Sequence, residues 1–172
     1  MRSVSIPVLC FFLLSCSQTP SEPSLLLAVR ESNLVKLKQL IQSGTDVNAT
    51  GKNGKTALMA AAELGDVQAV KLLLLAGANV NDRERTGETA VTHAAYEGHE
   101  DVLELLLQQS VKAELLTEAL LAAAGAGRES AIRVLLKHGV DPAKPNRYGV
   151  TASVLAEHSG QRHLLPLLQV AR

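Results

Sequence analysis

Asn53–Asn81 reads NGKTALMAAAELGDVQAVKLLLLAGANVN, and its pattern is written again 33 residues later. Gly54 falls on Gly87, Thr56 on Thr89, Ala57 on Ala90, Ala61 and Ala62 on Ala94 and Ala95, Gly65 on Gly98, and Leu73 and Leu74 on Leu106 and Leu107. A fixed period of this length is the mark of a chain that stacks one supersecondary unit on copies of itself. The unit has a glycine turn, a threonine-led apolar run, a second glycine, and a second apolar run. Thr56 and Thr89 stand where a hydroxyl can accept an unpaired N–H from the first turn of a helix. The alanine pairs keep the first helix thin, so the two helical layers approach unequally and the stack curves, leaving a concave side.

The period extends in both directions. One step back places Gly77 on Gly44, Val80 on Val47, Asn81 on Asn48 and Ala61 on Ala28. A step forward keeps register once four residues are dropped, with Ala61 and Ala62 on Ala123 and Ala124, Gly65 on Gly127, Leu73 on Leu135 and Gly77 on Gly139. A last period carries Gly54, Thr56, Ala61 and Gly65 onto Gly149, Thr151, Ala156 and Gly160. The chain thus holds five copies, the fourth irregular. The segments GKTALMAAAELGD, GETAVTHAAYEGHEDVLELLL and AGANVN resemble the ankyrin repeat over residues 24–170. The family's Thr-Pro-Leu-His stands here as Thr56-Ala57-Leu58-Met59 and Thr89-Ala90-Val91-Thr92, with His93 one place late. The resemblance implies an all-α solenoid of about five helix-turn-helix repeats with short hairpin fingers.

Composition agrees. Of 172 residues 47% are apolar and only 2% aromatic, so the core is built from small and aliphatic side chains that let helices pack closely. Two short helices cannot bury their own apolar face; neighbouring repeats supply the missing surface. Seventeen basic and seventeen acidic residues leave no net field to draw the chain onto nucleic acid, and no nucleic-acid role is expected.

Residues 1–16, MRSVSIPVLCFFLLSC, have a charged start, an apolar run from Val4 to Leu14 and a small residue before Cys16. The run is shorter than the about 20 residues a spanning helix needs and has the layout of a secretory signal. Its end, Leu13-Leu14-Ser15-Cys16, resembles the bacterial lipobox, which implies that residues 1–15 are removed and Cys16 is lipidated. No cysteine follows Cys16, consistent with an exported domain that needs no disulfide. Ser17–Ser24, SQTPSEPS, is small, polar and proline-bearing, a tether of about 15–25 Å. The division expected is therefore a signal peptide over 1–15, a lipidated tether over 16–23 and the repeat domain over 24–172. Ser17 after the lipidated cysteine goes, in Gram-negative lipoproteins, with sorting to the outer membrane. The location implied is the bacterial envelope, anchored by lipid and facing the periplasm.

The first copy carries Arg30, Glu31, Lys36, Lys38, Gln39 and Gln42 opposite its apolar faces, as a terminal cap should. The last copy ends in Gln161, Arg162, His163, Gln169 and Arg172, a second cap, with Pro166 interrupting its second helix or sitting in that helix's first turn. In the fourth copy the finger shrinks to SVKAELLTEA, with neither glycine nor Val-Asn. The finger is lost or helical there. A notch is expected in the row, with the alanines and glycines of residues 122–127 as its floor.

No catalytic set emerges. Ser110, Ser130 and Ser153 lack an elbow motif or a histidine placed to activate them. His93 and Glu97 share a helical face, but two ligands do not make a zinc site. His99 occupies the Gly-His turn that ankyrin repeats use structurally, and His138 closes a helix. The chain is expected to be no enzyme and to need no cofactor, metal or small-molecule substrate. What remains is binding. Past the leader the chain has only two aromatic residues, Tyr96 at the end of a first helix and Tyr148 beside Gly149 in a finger, and the repeat requires neither. Tyrosine offers a large contact area with few torsions to freeze. A protein partner is therefore expected on the concave face, held by Tyr96 and Tyr148 with Glu97 and the finger charges Lys52, Lys55, Arg83, Arg85 and Arg147 around them. Basic finger residues outnumber acidic ones, which suits a mildly acidic patch. The resemblance to exported bacterial ankyrin proteins implies either neutralisation of a toxin or secreted effector, or support of an envelope or oxidative-stress enzyme. A structural spacer is the third alternative.

Overall fold

Each apolar run of the repeat becomes a helix whose ends are set by its flanking residues. The computed structural model describes residues 22–169; the leader, Cys16 and all of the tether but its last two residues lie outside them. Five helix pairs follow one another: α1 (Ser24–Arg30) and α2 (Leu34–Gln42), α3 (Ala57–Leu64) and α4 (Val67–Leu75), α5 (Ala90–Glu97) and α6 (Glu100–Leu107), α7 (Ala113–Ala126) and α8 (Glu129–Lys137), and α9 (Ala152–His158) followed by a 3₁₀ turn (Arg162–Leu164) and α10 (Leu165–Gln169). Among the described residues there is no strand, and no helix there is long and apolar enough to cross a membrane. Pro166 falls in the first turn of α10, where its missing N–H leaves no helical bond unmade.

Thr56 and Thr89 cap their helices as expected, their hydroxyls accepting from Met59 N and Thr92 N at 3.2 Å. The motif's histidine position is filled differently in the two copies. In the third copy the Thr92 hydroxyl accepts from Thr89 N (2.7 Å) and donates to Thr89 O (2.9 Å), so a local threonine pair closes the turn.

The first helices α1, α3, α5, α7 and α9 pack side by side in one layer, and α2, α4, α6 and α8 form a second behind it. One continuous apolar cluster runs from Leu25 to Leu168 between the layers. Residues that the period superimposes are buried alike, Leu73, Leu106 and Leu135 being inaccessible to solvent. Each such leucine contributes on the order of 1.5–3 kcal/mol of transfer free energy. Polar links tie copy to copy. Asn48 Oδ1 accepts from Asn79 N, and one period on Asn81 Oδ1 accepts from Lys112 N, both at 2.9 Å.

The turn between paired helices shows why glycine recurs there. Gly65 has φ +69°, and a Cβ on it would stand 2.7 Å from the His99 ring, whose Nε2–H donates to Glu63 O at 3.0 Å. Gly77 has φ +88° and nothing within 4 Å of the same point. Gly77→Ala should therefore cost only the left-handed conformation, about 1–2 kcal/mol. Gly65→Ala should cost about 1 kcal/mol more, because the ring must leave its hydrogen bond. Urea midpoints compare the two, and equal losses would show that His99 does not link the repeats.

Candidate functional site

The fingers stand over the layer of first helices, and each is closed by two backbone bonds of 2.9 Å: Gly51 N to Lys55 O and Gly54 N to Gly51 O, Glu84 N to Glu88 O and Gly87 N to Glu84 O, and Asn146 N to Val150 O and Gly149 N to Asn146 O. Neighbouring fingers touch through Arg85 N, which donates to Asn53 O at 2.9 Å. Gly54, Gly87 and Gly149 turn these fingers at φ values of +80°, +94° and +77°. A Cβ on Gly54 would meet Glu84 Cα at 3.3 Å, so that turn is held by the close approach of the next finger as well as by its own conformation.

Where a fourth finger would stand, α7 is instead extended at its N-terminus to 14 residues, against the eight of α3 and α5. The missing finger is helical. The gap it leaves is a cleft of about 540 Å³ between the third and fifth fingers. Its floor departs from the expected alanine and glycine surface: Glu114, Thr117 and Glu118 of the added turns line it, while Ala123 and Ala124 are fully buried. Gly125 is used for packing, a Cβ there meeting Leu155 Cδ2 at 3.3 Å. The small residues of α7 let α9 approach. On the walls are Arg83, Arg85, Lys144 and Arg147, four cations over the two carboxylates of the floor.

A second cleft, of about 420 Å³, lies between the fingers and helices α5 and α7. Glu63 of α3 with Thr92, His93, Tyr96, Glu97 and Ala122 line its helical side, and Lys55, Glu84 and Glu88 its finger side. One lysine faces four carboxylates here, so charge is segregated along the surface, basic at the notch and acidic at Tyr96. The basic finger residues that outnumber the acidic ones are thus gathered mainly at the notch.

Tyr96 and Tyr148 are exposed, at 54% and 73%, and neither ring is folded into the core. The Arg147 guanidinium sits 4.8 Å from the Tyr148 ring centroid, an arrangement worth about 0.5–1 kcal/mol at an exposed site and one that orients both side chains. Tyr96 also contributes its carbonyl to Arg128 Nε–H at 2.9 Å, which fixes the helix end that carries the ring. Lys52, Arg85 and Arg147 are exposed finger residues, as expected.

Two of the expected contact charges are engaged within the fold. Lys55 Nζ lies 2.6 Å from Glu63 Oε2 with only 15% of its side chain exposed. Arg83 reaches from the wall of the notch to its floor, its two guanidinium nitrogens donating to Glu118 at 2.7 and 3.2 Å and Nη1 also to Gly87 O at 2.9 Å. Arg83 thus holds the third finger against α7. Glu97 stands 4.0 Å from Arg128 Nη2 and stays partly open.

His93, which shares a helical face with Glu97, is paired off its own helix. Its Nε2 lies 3.1 Å from Glu84 Oε1, on the finger, and Glu84, Glu88 and His93 place ligand-type atoms within 4.8 Å of one another. The Glu88 carboxyl is held below its usual range, chiefly by the Thr86 hydroxyl, then by Glu84, with the charges of His93 and Lys55 also acting against burial. Superposing the copies gives the one sequence signal for this cluster: His93 replaces Ala60 on the first-helix face that looks at the finger.

A family model of ankyrin repeats in three copies matches residues 25–117. A search of curated proteins finds no match.

Proposed function

Since the chain belongs to the ankyrin-repeat family, we propose that it is a binding module that holds a protein partner on the finger side of its helical stack, in the bacterial envelope and on a lipid anchor. The observation that carries this reading is the pair of exposed tyrosines: Tyr96 in the acidic cleft and Tyr148 in the finger bordering the basic notch. Contact surfaces draw most of their affinity from such aromatic anchors, with charges around them setting partner choice and encounter rate. Arg85, Lys144 and Arg147, which form no ion pair among the described residues, suit an acidic segment of the partner, and Arg83 serves by bracing the third finger on α7. A photo-crosslinking residue at Asn146 or Glu97 should capture a protein in cells. The same residue at Leu75, on the opposite helical layer, should not. Equal capture at both faces overturns the assignment. The identity of the captured protein separates neutralisation of a toxin or effector from support of an envelope enzyme.

The anchor rests on the Leu13-Leu14-Ser15-Cys16 run. Mass spectrometry of the mature chain should find a diacylated cysteine as its first residue, and Cys16→Ser should release the protein from membranes or leave it unprocessed. A mature chain beginning elsewhere without lipid rules the anchor out. Lipidation would leave the repeat domain on a short tether, near enough to the membrane to meet partners of the same compartment. Outer-membrane residence is the further expectation from Ser17, read by membrane fractionation.

A further inference from the structure

We propose that Glu84, Glu88 and His93 form a binding site for a divalent transition-metal ion, with Zn²⁺ the best match. Two carboxylates from the third finger and one imidazole from α5 converge, their candidate donor atoms all within 4.8 Å. A tetrahedral ion with bonds of about 2.0–2.1 Å holds its ligands about 3.3 Å apart. Glu84 Oε1 and His93 Nε2 already stand 3.1 Å apart. Their side chains are only 10% and 14% exposed, so both are held by packing, while Glu88 is exposed and can close in with a side-chain rotation. Thr86 Oγ1–H donates to Glu88 Oε2 at 2.8 Å, which orients the carboxylate and leaves its other oxygen for a metal.

The donor set selects the ion. One nitrogen with two oxygens suits Zn²⁺ and its neighbours, whereas Mg²⁺ and Ca²⁺ prefer oxygen alone. The charge balance points the same way. Lys55, the one lysine of the cleft, is paired with Glu63 at 2.6 Å and acts on Glu88 through its charge alone, so His93 is the one basic side chain paired with Glu84. A divalent ion bound between Glu84 and Glu88 offsets both carboxylates. The cleft supplies the route of entry, and three protein ligands leave a further position for water. Because the ligands come from a finger and a helix, the ion would pin the two together.

Calorimetric titration of the repeat-bearing chain with ZnCl₂ near neutral pH should show one equivalent bound per chain, with a rise in melting temperature as Zn²⁺ is added. His93→Ala should weaken binding about tenfold or more and abolish that rise. Glu88→Gln, at an exposed position where folding is not at stake, should weaken binding as well. His138→Ala should leave the titration unchanged, His138 having only Glu104 beside it, at 2.7 Å. Absence of binding overturns the proposal, and so does binding that survives both His93→Ala and Glu88→Gln or that is lost in His138→Ala.

Discussion

Leu73→Ala and Leu106→Ala should each lower the stability of the repeat domain by about 2–5 kcal/mol, the cost of deleting a fully buried leucine and leaving a cavity. Both side chains are 0% exposed and occupy equivalent places in the second helices α4 and α6. Their surroundings are largely alanine and leucine fixed on short helices, which have few torsions with which to fill a void. Because α4 and α6 pack on each other, each cavity weakens an interface as well as a repeat. Stability in a stack is approximately a sum of repeat and nearest-neighbour contributions, so both substitutions should shift one shared urea transition rather than split it. Leu75, 87% exposed on the same layer as Leu73, is the control: Leu75→Ala should change stability by less than about 0.5 kcal/mol. Losses below about 1 kcal/mol at Leu73 or Leu106 would contradict the assigned core.

Tyr96→Ala and Tyr148→Ala should each weaken the partner complex by about 2 kcal/mol or more, roughly 30-fold in Kd. Their exposure, 54% and 73%, means that truncation removes little from the folded core, and the melting temperature should barely move. With helices stacked about 9–10 Å apart, two rings separated by two repeats lie about 20 Å from each other, within the span of one interface of ordinary size. Lys52→Ala, at an exposed finger residue, should instead slow association and reduce its salt dependence while changing dissociation little. Arg83→Ala should behave differently again, because its bonds to Glu118 hold the notch; its effect on binding should persist at high salt. Normal binding by both tyrosine variants, or unfolding of both, would remove the anchors from the site.

The helix pairs, their caps and the core leucines were legible in the sequence because a stacked repeat makes the same local contacts in every copy. The spacing from Gly54 to Gly87 and the Thr-Ala-Leu start are enough to place a turn, a cap and a buried face. The deletion in the fourth copy was legible too, since SVKAELLTEA has no residue that would turn a finger. Its outcome as two added helical turns agrees with a segment rich in alanine, leucine and glutamate.

The role of each charge was not legible. Arg83 and Lys55 read as free finger residues, yet one is bound to Glu118, 35 positions on, and the other to Glu63, eight positions on. Helical spacing puts His93 on one face with Glu97, but its carboxylate partner, Glu84, lies on the finger and has no mark in that spacing. Sequence by itself determined the architecture, since period and apolar pattern act through neighbours one repeat apart and are the same wherever the stack curves. Only the tertiary structure decided which charges are spent inside the fold and which stay exposed on the fingers. Long polar side chains reach across fingers and helices to whatever lies within about 4 Å, a distance set by the stacking of the repeats and not by any spacing along the chain.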